Sequence, residues 1–438
     1  MKNQKKRICL LFPKFYEGFI MRKVPLGLAY LATHLKAAGH EVEAYNLNVD
    51  PLVEIDFKSF DFIGITCLTP FVTAVRELCD HIRNHSQSVR IVIGGPHPTY
   101  RTQAVFEELP LIDYAIAGEG EISFCRLVGD EGNWNDLPGV FGRTDNQEVK
   151  GTPAQTVNIG ELEYPDRHIF DHGHLEKRNP FRSILASRGC PYQCYNCQPI
   201  LRKIQPFRLR APEQVFDEIK SLYRSHGQTY FGFIDSEFPI KKSWLKTFFK
   251  MIRKSGMPFQ FHCNARSDLL DEDILQWFKE FNISRLAIGI ESGSMRVIDE
   301  VLHKGINLSD TYEIFKAAQK IGVKTHGHFM IGIPGETLIE MEKTVEYAMR
   351  LPADSVEFNM LTPWPGTEFW RICYDYGYLT QQDTAQWNEK RRSFVSTDEF
   401  SNGQVMALYQ EINRRFTSLG YKNSDDGSVY FRPMENQL

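Results

Sequence analysis

Short apolar runs alternate with amphipathic stretches through the first part of the chain. Ile8–Phe12 is a continuous apolar run closed by Pro13, the pattern of a strand buried on both faces. Pro25–Ala38 follows with Leu26, Tyr30, Leu31 and Leu35 on one helical face, and Gly39 ends that helix before a strand at Glu41–Tyr45. Asp61–Thr66, Arg90–Gly94 and Asp113–Ala117 read as further strands, with a helix at Val72–Arg83 between two of them. Strand–helix alternation of this kind predicts a parallel, doubly wound sheet over residues 1–125. Such sheets take ligands in the crevice beyond the carboxyl ends of their strands.

The pattern lapses over 126–180, where Gly, Asp, Asn and Pro are frequent; this stretch reads as a linker with a hairpin near Gly139–Lys150. Alternation resumes at Phe181. Strands are expected at 182–187, Tyr230–Asp235, Gln260–Ala265, Arg285–Ile290, Lys324–Ile331 and Ser355–Leu361. Helices are expected between them at Pro212–Tyr223, Lys242–Ser255, Asp271–Phe281, Ser309–Ile321 and Glu336–Leu351. About six strand–helix units fit a partial (β/α)6 barrel over 181–377, whose active site would sit at the C-terminal strand ends. Residues 378–438 are polar and aromatic and read as a small helical cap with a tail.

Composition narrows the class without naming a chemistry. The 438 residues are 42% hydrophobic and 24% charged, enough for two or three domains with their own cores. A net charge of −4 offers no basic footprint for nucleic acid. No stretch approaches the ~20 apolar residues of a membrane span. Lys2, Lys5, Lys6 and Arg7 lead into an apolar run too short for a signal segment, so a cytoplasmic protein with no integral membrane segment is expected. Of nine cysteines, Cys9, Cys67, Cys79, Cys125, Cys263 and Cys373 are scattered singly and read as free thiols in a reducing compartment.

The other three stand together. Cys190, Cys194 and Cys197 follow the expected strand at 182–187 in the spacing C-x3-C-x2-C. Three thiolates on one loop can hold three irons of a 4Fe–4S cluster and leave the fourth without a protein ligand, whereas an electron-transfer cluster takes four cysteines. An open metal position is the mark of a catalytic rather than a structural site. A zinc site is the alternative, but it calls for a fourth Cys or His at motif spacing, and none follows closely. In the N-terminal half, the strand-end loops carry Pro13, Thr66, Gly94-Gly95-Pro-His97 and Gly118-Glu119, where glycine lets backbone approach a ligand. His326 and His328 share one face of their strand; they are candidates for acid–base work, or packed strand histidines.

The barrel half carries the cysteine triad with Gly289-Ile-Glu-Ser-Gly293, Lys304-Gly305 and Gly332-Ile-Pro-Gly-Glu336. The N-terminal half carries Pro25-Leu-Gly-Leu-Ala-Tyr-Leu-Ala32, Gly39-His-Glu-Val42, Gly94-Gly-Pro-His97 and Gly118-Glu-Gly-Glu121. In this order the set resembles the cobalamin-binding-domain radical S-adenosylmethionine (SAM) family over residues 5–375. The resemblance implies a Rossmann-like cobalamin-binding sheet followed by a radical SAM barrel. It implies a 4Fe–4S cluster on Cys190, Cys194 and Cys197, with SAM chelating the open iron and Asp235, Glu237, Arg266 and Glu291 around it. Cobalamin would lie against Pro13, Thr66, Gly94, Gly95, His97, Gly118 and Glu119.

The implied reaction cleaves SAM to methionine and a 5′-deoxyadenosyl radical, with methylation of an unactivated carbon in a small molecule or natural product. An external electron donor such as flavodoxin or ferredoxin would feed the cluster. A cyclase or rearrangement without net methyl transfer, like anaerobic tetrapyrrole ring formation, is the alternative; a cobalamin-binding or redox-sensing module is the second. Two departures stand out. Asn196 holds the place before the third cysteine where the family often has an aromatic, with Tyr195 one residue earlier. The Asp-x-His-x-x-Gly signature of cobalamin proteins with a histidine ligand is absent, since Asp166-Arg-His168 lacks the glycine.

Overall fold

The computed structural model describes residues 4–14, 23–175, 180–197, 206–238, 241–381, 387, 392–424 and 429–431. The chain divides into two compact units. One comprises Met1–Ser183 with Ile200–Arg208 and Asp383–Asn388; the other comprises Ile184–Pro199, Leu209–Gln382 and Glu389–Leu438.

The first unit is built on strands β1 (Arg7–Phe12), β2 (Glu41–Asn46), β3 (Phe62–Thr66), β4 (Arg90–Gly94) and β5 (Tyr114–Ile116), all parallel, in the order β2-β1-β3-β4-β5. Ile8, Cys9, Leu10 and Leu11 are wholly buried, as a central strand covered on both faces requires. Helix Leu26–Ala37 buries Leu28, Ala29, Tyr30, Ala32 and Leu35, and helix Val72–His85 buries Val75, Leu78, Cys79 and Ile82. A helix at Gly120–Gly129, not expected from the pattern, packs Phe124 over Gly64 of β3, where a Cβ would lie 2.7 Å from the ring. The hairpin expected near Gly139–Lys150 forms as β6 (Val140–Arg143) and β7 (Val149–Gly151). It pairs antiparallel at the edge of this same sheet, so the sheet continues past residue 125.

The second sheet runs β16-β17-β15-β14-β13-β12-β11-β8. Its strands are β8 (Ser183–Ile184), β11 (Tyr230–Phe233), β12 (Gln260–Ala265), β13 (Ile283–Glu291), β14 (Thr325–Ile331), β15 (Ser355–Met360), β16 (Lys422–Asn423) and β17 (Val429–Phe431); β9 (Ser187–Arg188) and β10 (Arg208–Leu209) pair with each other as a separate two-stranded sheet. β11 through β15 are parallel neighbours joined by helices Lys242–Ser255, Glu272–Glu280, Leu308–Ile321 and Leu338–Arg350. Among the described residues the strand order is open, from β16 at one edge to β8 at the other, which leaves a partial barrel. The strand expected at 182–187 is divided between β8 and β9.

Phe329 of β14 stacks on Phe358 and meets Tyr347 of helix Leu338–Arg350. Odd positions of β14 therefore face the helices, and His326, His328 and Met330 face the other side. At the C-terminus, helix Asn402–Ser418 is capped by Ser401 and Gln404, and β16/β17 add antiparallel strands beside β15. Buried Tyr430 stacks on Phe416 at 4.7 Å and anchors this end.

Candidate functional site

The cysteine loop leaves β9 at its C-terminal side. Cys190 and Cys194 are half-buried and Cys197 is exposed, and the Cys197 N–H donates to the Cys194 carbonyl at 3.2 Å. Burial raises the Cys190 thiol. Asp235, just beyond β11, holds the approach to the loop: its carboxylate accepts from Ser187 Oγ at 2.5 Å, from the Ser187 N–H and from the Ala186 N–H at 3.1 Å. Burial pushes this carboxyl up to about 6 against those hydrogen bonds. Both oxygens are engaged by the protein, so Asp235 anchors the strand.

Arg266 closes β12 and is 2% exposed. Its Nε and Nη2 donate to the two carboxylate oxygens of Asp268 at 2.9 and 3.0 Å, Nη2 also donates to the Lys304 carbonyl at 2.7 Å, and Nη1 points at Cys194 Sγ at 3.7 Å. The guanidinium lies over the Tyr192 ring, 3.7 Å from its centroid. Stacking and charge-assisted bonds together fix its plane.

Glu291 ends β13 with φ +73°, a left-handed backbone that a non-glycine residue adopts at a cost. The turn aims its Oε1 at buried Lys304 Nζ, 2.9 Å away. Gly289 makes the room: a Cβ there would stand 2.8 Å from Glu291 Oε1 and 3.1 Å from Lys304 Nζ. Burial opposes the Lys304 charge, yet Glu291 and Cys194 leave the ammonium above its ordinary range. Glu237 is nearby electrostatically, and its buried Oε2 has no hydrogen-bond partner. Burial pushes that carboxyl up to about 7, with Lys304 and Arg266 pulling the other way.

Tyr195 packs into an apolar cluster. Its N–H donates to the Leu302 carbonyl at 2.9 Å, and its ring packs on His303 and on the apolar cluster of Val297, Leu302, Ile333, Leu361 and Phe369. Asn196 Oδ1 is buried without a partner. The segment after β13 is held by helix Leu338–Arg350 and linked to the second glycine segment: Gly293 N–H donates to Thr344 Oγ1 at 2.9 Å, Glu340 accepts from Ser294 Oγ at 3.0 Å and Arg296 Nε at 2.8 Å, and Arg296 Nη2 donates to the Gly335 carbonyl at 2.7 Å. The Arg296 contact brings Glu340 down to about 2. Buried Glu336 accepts from the Ile333 N–H through Oε2 while Oε1 has no partner, and burial pushes it up to about 8.

In the first unit, Pro13, Thr66, Gly94, Gly95, His97, Gly118 and Glu119 do gather at carboxyl strand ends. The Gly94 carbonyl accepts from the Cys67 N–H, and the His97 N–H returns to the Cys67 carbonyl at 3.1 Å. Gly95 has φ +104°, and a Cβ there would lie 3.0 Å from the Cys67 oxygen. Gly118 N–H donates to Thr99 Oγ1 at 2.9 Å, which ties the loops after β4 and β5. Asn48 donates to the Pro13 carbonyl at 3.1 Å. Two of these residues have engaged side chains. His97 is wholly buried, with Nδ1 3.1 Å from Thr69 Oγ1 and Nε2 2.6 Å from Glu108. Glu119 takes both Nη1 and Nη2 of Arg208 at 2.8 Å and the Val157 N–H at 2.8 Å.

Sequence reasoning singled out neither Tyr192 nor Asp268, and gave Lys304 no role. Lys304 had a signal, the conjunction of Lys-Gly with a glutamate on the preceding strand; the others are ordinary polar residues until folded. His326 and His328 share a face as their alternation predicts, and both reach Glu357 on β15. Burial lowers His326 to about 4. Glu357 is held below the usual carboxylate range despite its burial, by hydrogen bonds from both imidazoles.

Comparison with known proteins places these features. Residues 23–128 match the B12 binding domain model and residues 184–348 match the radical SAM superfamily model. An uncharacterized methyltransferase of Pyrococcus horikoshii is 30% identical over 428 residues, covering 92% of this chain and 91% of the relative. The anaerobic magnesium-protoporphyrin IX monomethyl ester cyclase of Rubrivivax gelatinosus is 26% identical over 391 residues, 83% of this chain and 69% of that protein. The radical SAM methyltransferase TsrM from Kitasatospora setae, solved with cobalamin and a 4Fe–4S cluster, shares the fold at TM-score 0.72 and 21% identity, covering 98% of this chain and 88% of that one. Among the described residues no helix is long and apolar enough to cross a membrane. A cysteine triad at a partial-barrel strand end, a parallel sheet ahead of it and a relative 30% identical over 92% of this chain agree: this chain is an enzyme of the radical SAM superfamily that carries a B12-binding domain.

Proposed function

We propose that Cys190, Cys194 and Cys197 hold a 4Fe–4S cluster and that the enzyme transfers a methyl group to carbon of a small-molecule substrate. The observation that carries the reading is the surround of the loop. Three thiols stand with two buried cations, Arg266 and Lys304, and a buried carboxylate oxygen of Glu237 that no protein group satisfies. A buried acceptor without a donor is costly in the protein alone; the α-ammonium of SAM would supply a donor of the right charge. A cluster held by these thiolates would supply the electron for SAM cleavage, and cobalamin held by the first unit would supply the methyl carrier.

The chain's own part is to position and to shield. Asp235 fixes the strand before the loop, and Arg266 and Tyr192 brace its middle. Lys304 and Glu291 form a pair whose carboxylate retains acceptor capacity for ribose hydroxyls or the ammonium. In the first unit, Gly94 leaves open space at a strand end, with only Ile116 Cβ at 4.0 Å from an added Cβ, so backbone there can approach a flat macrocycle. The methyltransferase similarity favours methylation. The cyclase similarity supports a second reading, ring formation without net methyl transfer.

Anaerobic reconstitution with iron, sulfide and hydroxocobalamin tests both. Production of 5′-deoxyadenosine establishes radical chemistry, and isotope-labelled methyl from SAM in the product selects methylation. Cyclised product without label selects the second reading.

A further inference from the structure

β14 and β15 pair in parallel register with His326 opposite Ser355 and His328 opposite Glu357. That register, with side chains alternating along each strand, brings three metal-ligating groups to one face. One ring nitrogen from each histidine and a carboxylate oxygen of Glu357 all lie within 4.8 Å of one another. His326 Nε2 and His328 Nδ1 are each 3.3 Å from Glu357 Oε2, and the two rings cross at 84°. Ligands bound at about 2.1 Å and roughly at right angles stand about 3 Å apart, so little movement is needed to close on an ion.

Ser355 sets which group the other ring nitrogen of His326 can serve. His326 Nδ1 lies 2.7 Å from Ser355 Oγ. When the hydroxyl donates to Nδ1, Nε2–H bonds Glu357, as in the metal-free site; when Nδ1–H donates to the hydroxyl, Nε2 presents its lone pair to a cation. An outer hydrogen bond on the far nitrogen is how ligating imidazoles are oriented. Ser355 is buried and His326 is 1% exposed, while His328 and Glu357 are half-buried, so the cluster is anchored on one side and accessible on the other. Arg285, on β13, acts against a cation near His326, but it is exposed and therefore screened.

We propose that His326, His328 and Glu357 form a three-ligand site for a first-row divalent cation, with open positions for water or for an oxygen or nitrogen of the substrate. Two imidazoles and one carboxylate suit Zn²⁺, Fe²⁺ or Mn²⁺.

Mn²⁺ is the probe, because a hard cation leaves cluster thiolates alone. The cluster-loaded enzyme, oxidised so that its cluster is silent, is titrated with Mn²⁺ while the six-line paramagnetic resonance signal of the free ion is followed. The expected result is uptake of one ion per chain, weakened on the order of tenfold or more in both Glu357→Gln and His328→Ala with iron content unchanged. Glu357→Gln keeps the side-chain shape and guards against a folding defect. A free signal undiminished by stoichiometric enzyme, or equal uptake by the wild type and Glu357→Gln, overturns the proposal.

Discussion

Arg266 Nη1 points at Cys194 Sγ from 3.7 Å, and the remainder of the guanidinium is fixed by Asp268, the Lys304 carbonyl and the Tyr192 ring. An N–H aimed at a thiolate stabilises negative charge, and hydrogen bonds to cluster sulfurs are among the levers that set potential. Reduction adds an electron, so the contact favours the reduced cluster. Arg266→Gln is therefore expected to make the midpoint potential more negative by tens of millivolts, where ~59 mV is a tenfold change for one electron. A redox titration followed by paramagnetic resonance reads it directly. Arg266→Lys retains the charge without the planar fork and should fall between; a potential unmoved in both variants means the contact has no electronic role.

Asp235 makes a different prediction because its bonds are to the strand and not to the loop. Asp235→Asn keeps the volume but loses a charged acceptor shared by Ser187 Oγ and two backbone N–H groups. Leaving such donors poorly satisfied costs about 1–3 kcal/mol. The urea midpoint should drop, and reconstituted iron per chain should drop with it, since the strand carries the loop. Full iron retention in a destabilised variant would separate the strand anchor from cluster assembly.

Much of the architecture is visible in the chain because its cause is local. Arg90–Gly94, Lys242–Ser255 and Gln260–Ala265 fold with the boundaries their periodicity predicts. Lys242–Ser255 is a case in point: Trp244, Leu245, Phe248, Phe249 and Ile252 repeat at helical spacing, and Gly256 closes it in a left-handed turn. β16 and β17 escape notice because two or three residues carry no period; their place depends on Tyr430 packing against a distant helix.

The site divides along the same line. The cysteine spacing is local and legible. Ser187 beside Asp235, Cys194 beside Arg266 and Arg208 beside Glu119 are not, since they lie 48, 72 and 89 residues away and owe their proximity to the fold. Residue type therefore located these side chains at strand ends without revealing that protein groups already engage them.

Glu336 gives a pH signature with a definite sign. Its folded value is pushed up to about 8 by burial, against roughly 4.3 for an unfolded glutamate. Between those values the folded state binds more protons than the unfolded state, so stability falls as pH rises from about 4.3 toward 8. Glu336→Gln is permanently neutral and retains an acceptor for the Ile333 N–H. The variant should lose this downward slope and be the more stable protein above about pH 7. Urea midpoints of both proteins from pH 5 to about 9 make the comparison; parallel curves would show that the carboxyl ionises without cost.

His97 bears on how cobalamin is held. Nδ1 faces Thr69 Oγ1, Nε2 faces Glu108 at 2.6 Å, and the ring is wholly buried. Glu108, despite its burial, is held below the usual glutamate range by His97 and Arg101. Both ring nitrogens are thus committed inside the loop, leaving neither to coordinate cobalt. The cobalamin-loaded enzyme, reduced to Co(II), should show no splitting from an imidazole nitrogen in its paramagnetic resonance spectrum. His97→Gln should retain cobalamin with the same spectrum while losing about 1–3 kcal/mol of stability from the unsatisfied Thr69 and Glu108 partners. Nitrogen splitting in the wild type that vanishes in His97→Gln would mean that the imidazole leaves Glu108 and ligates the metal.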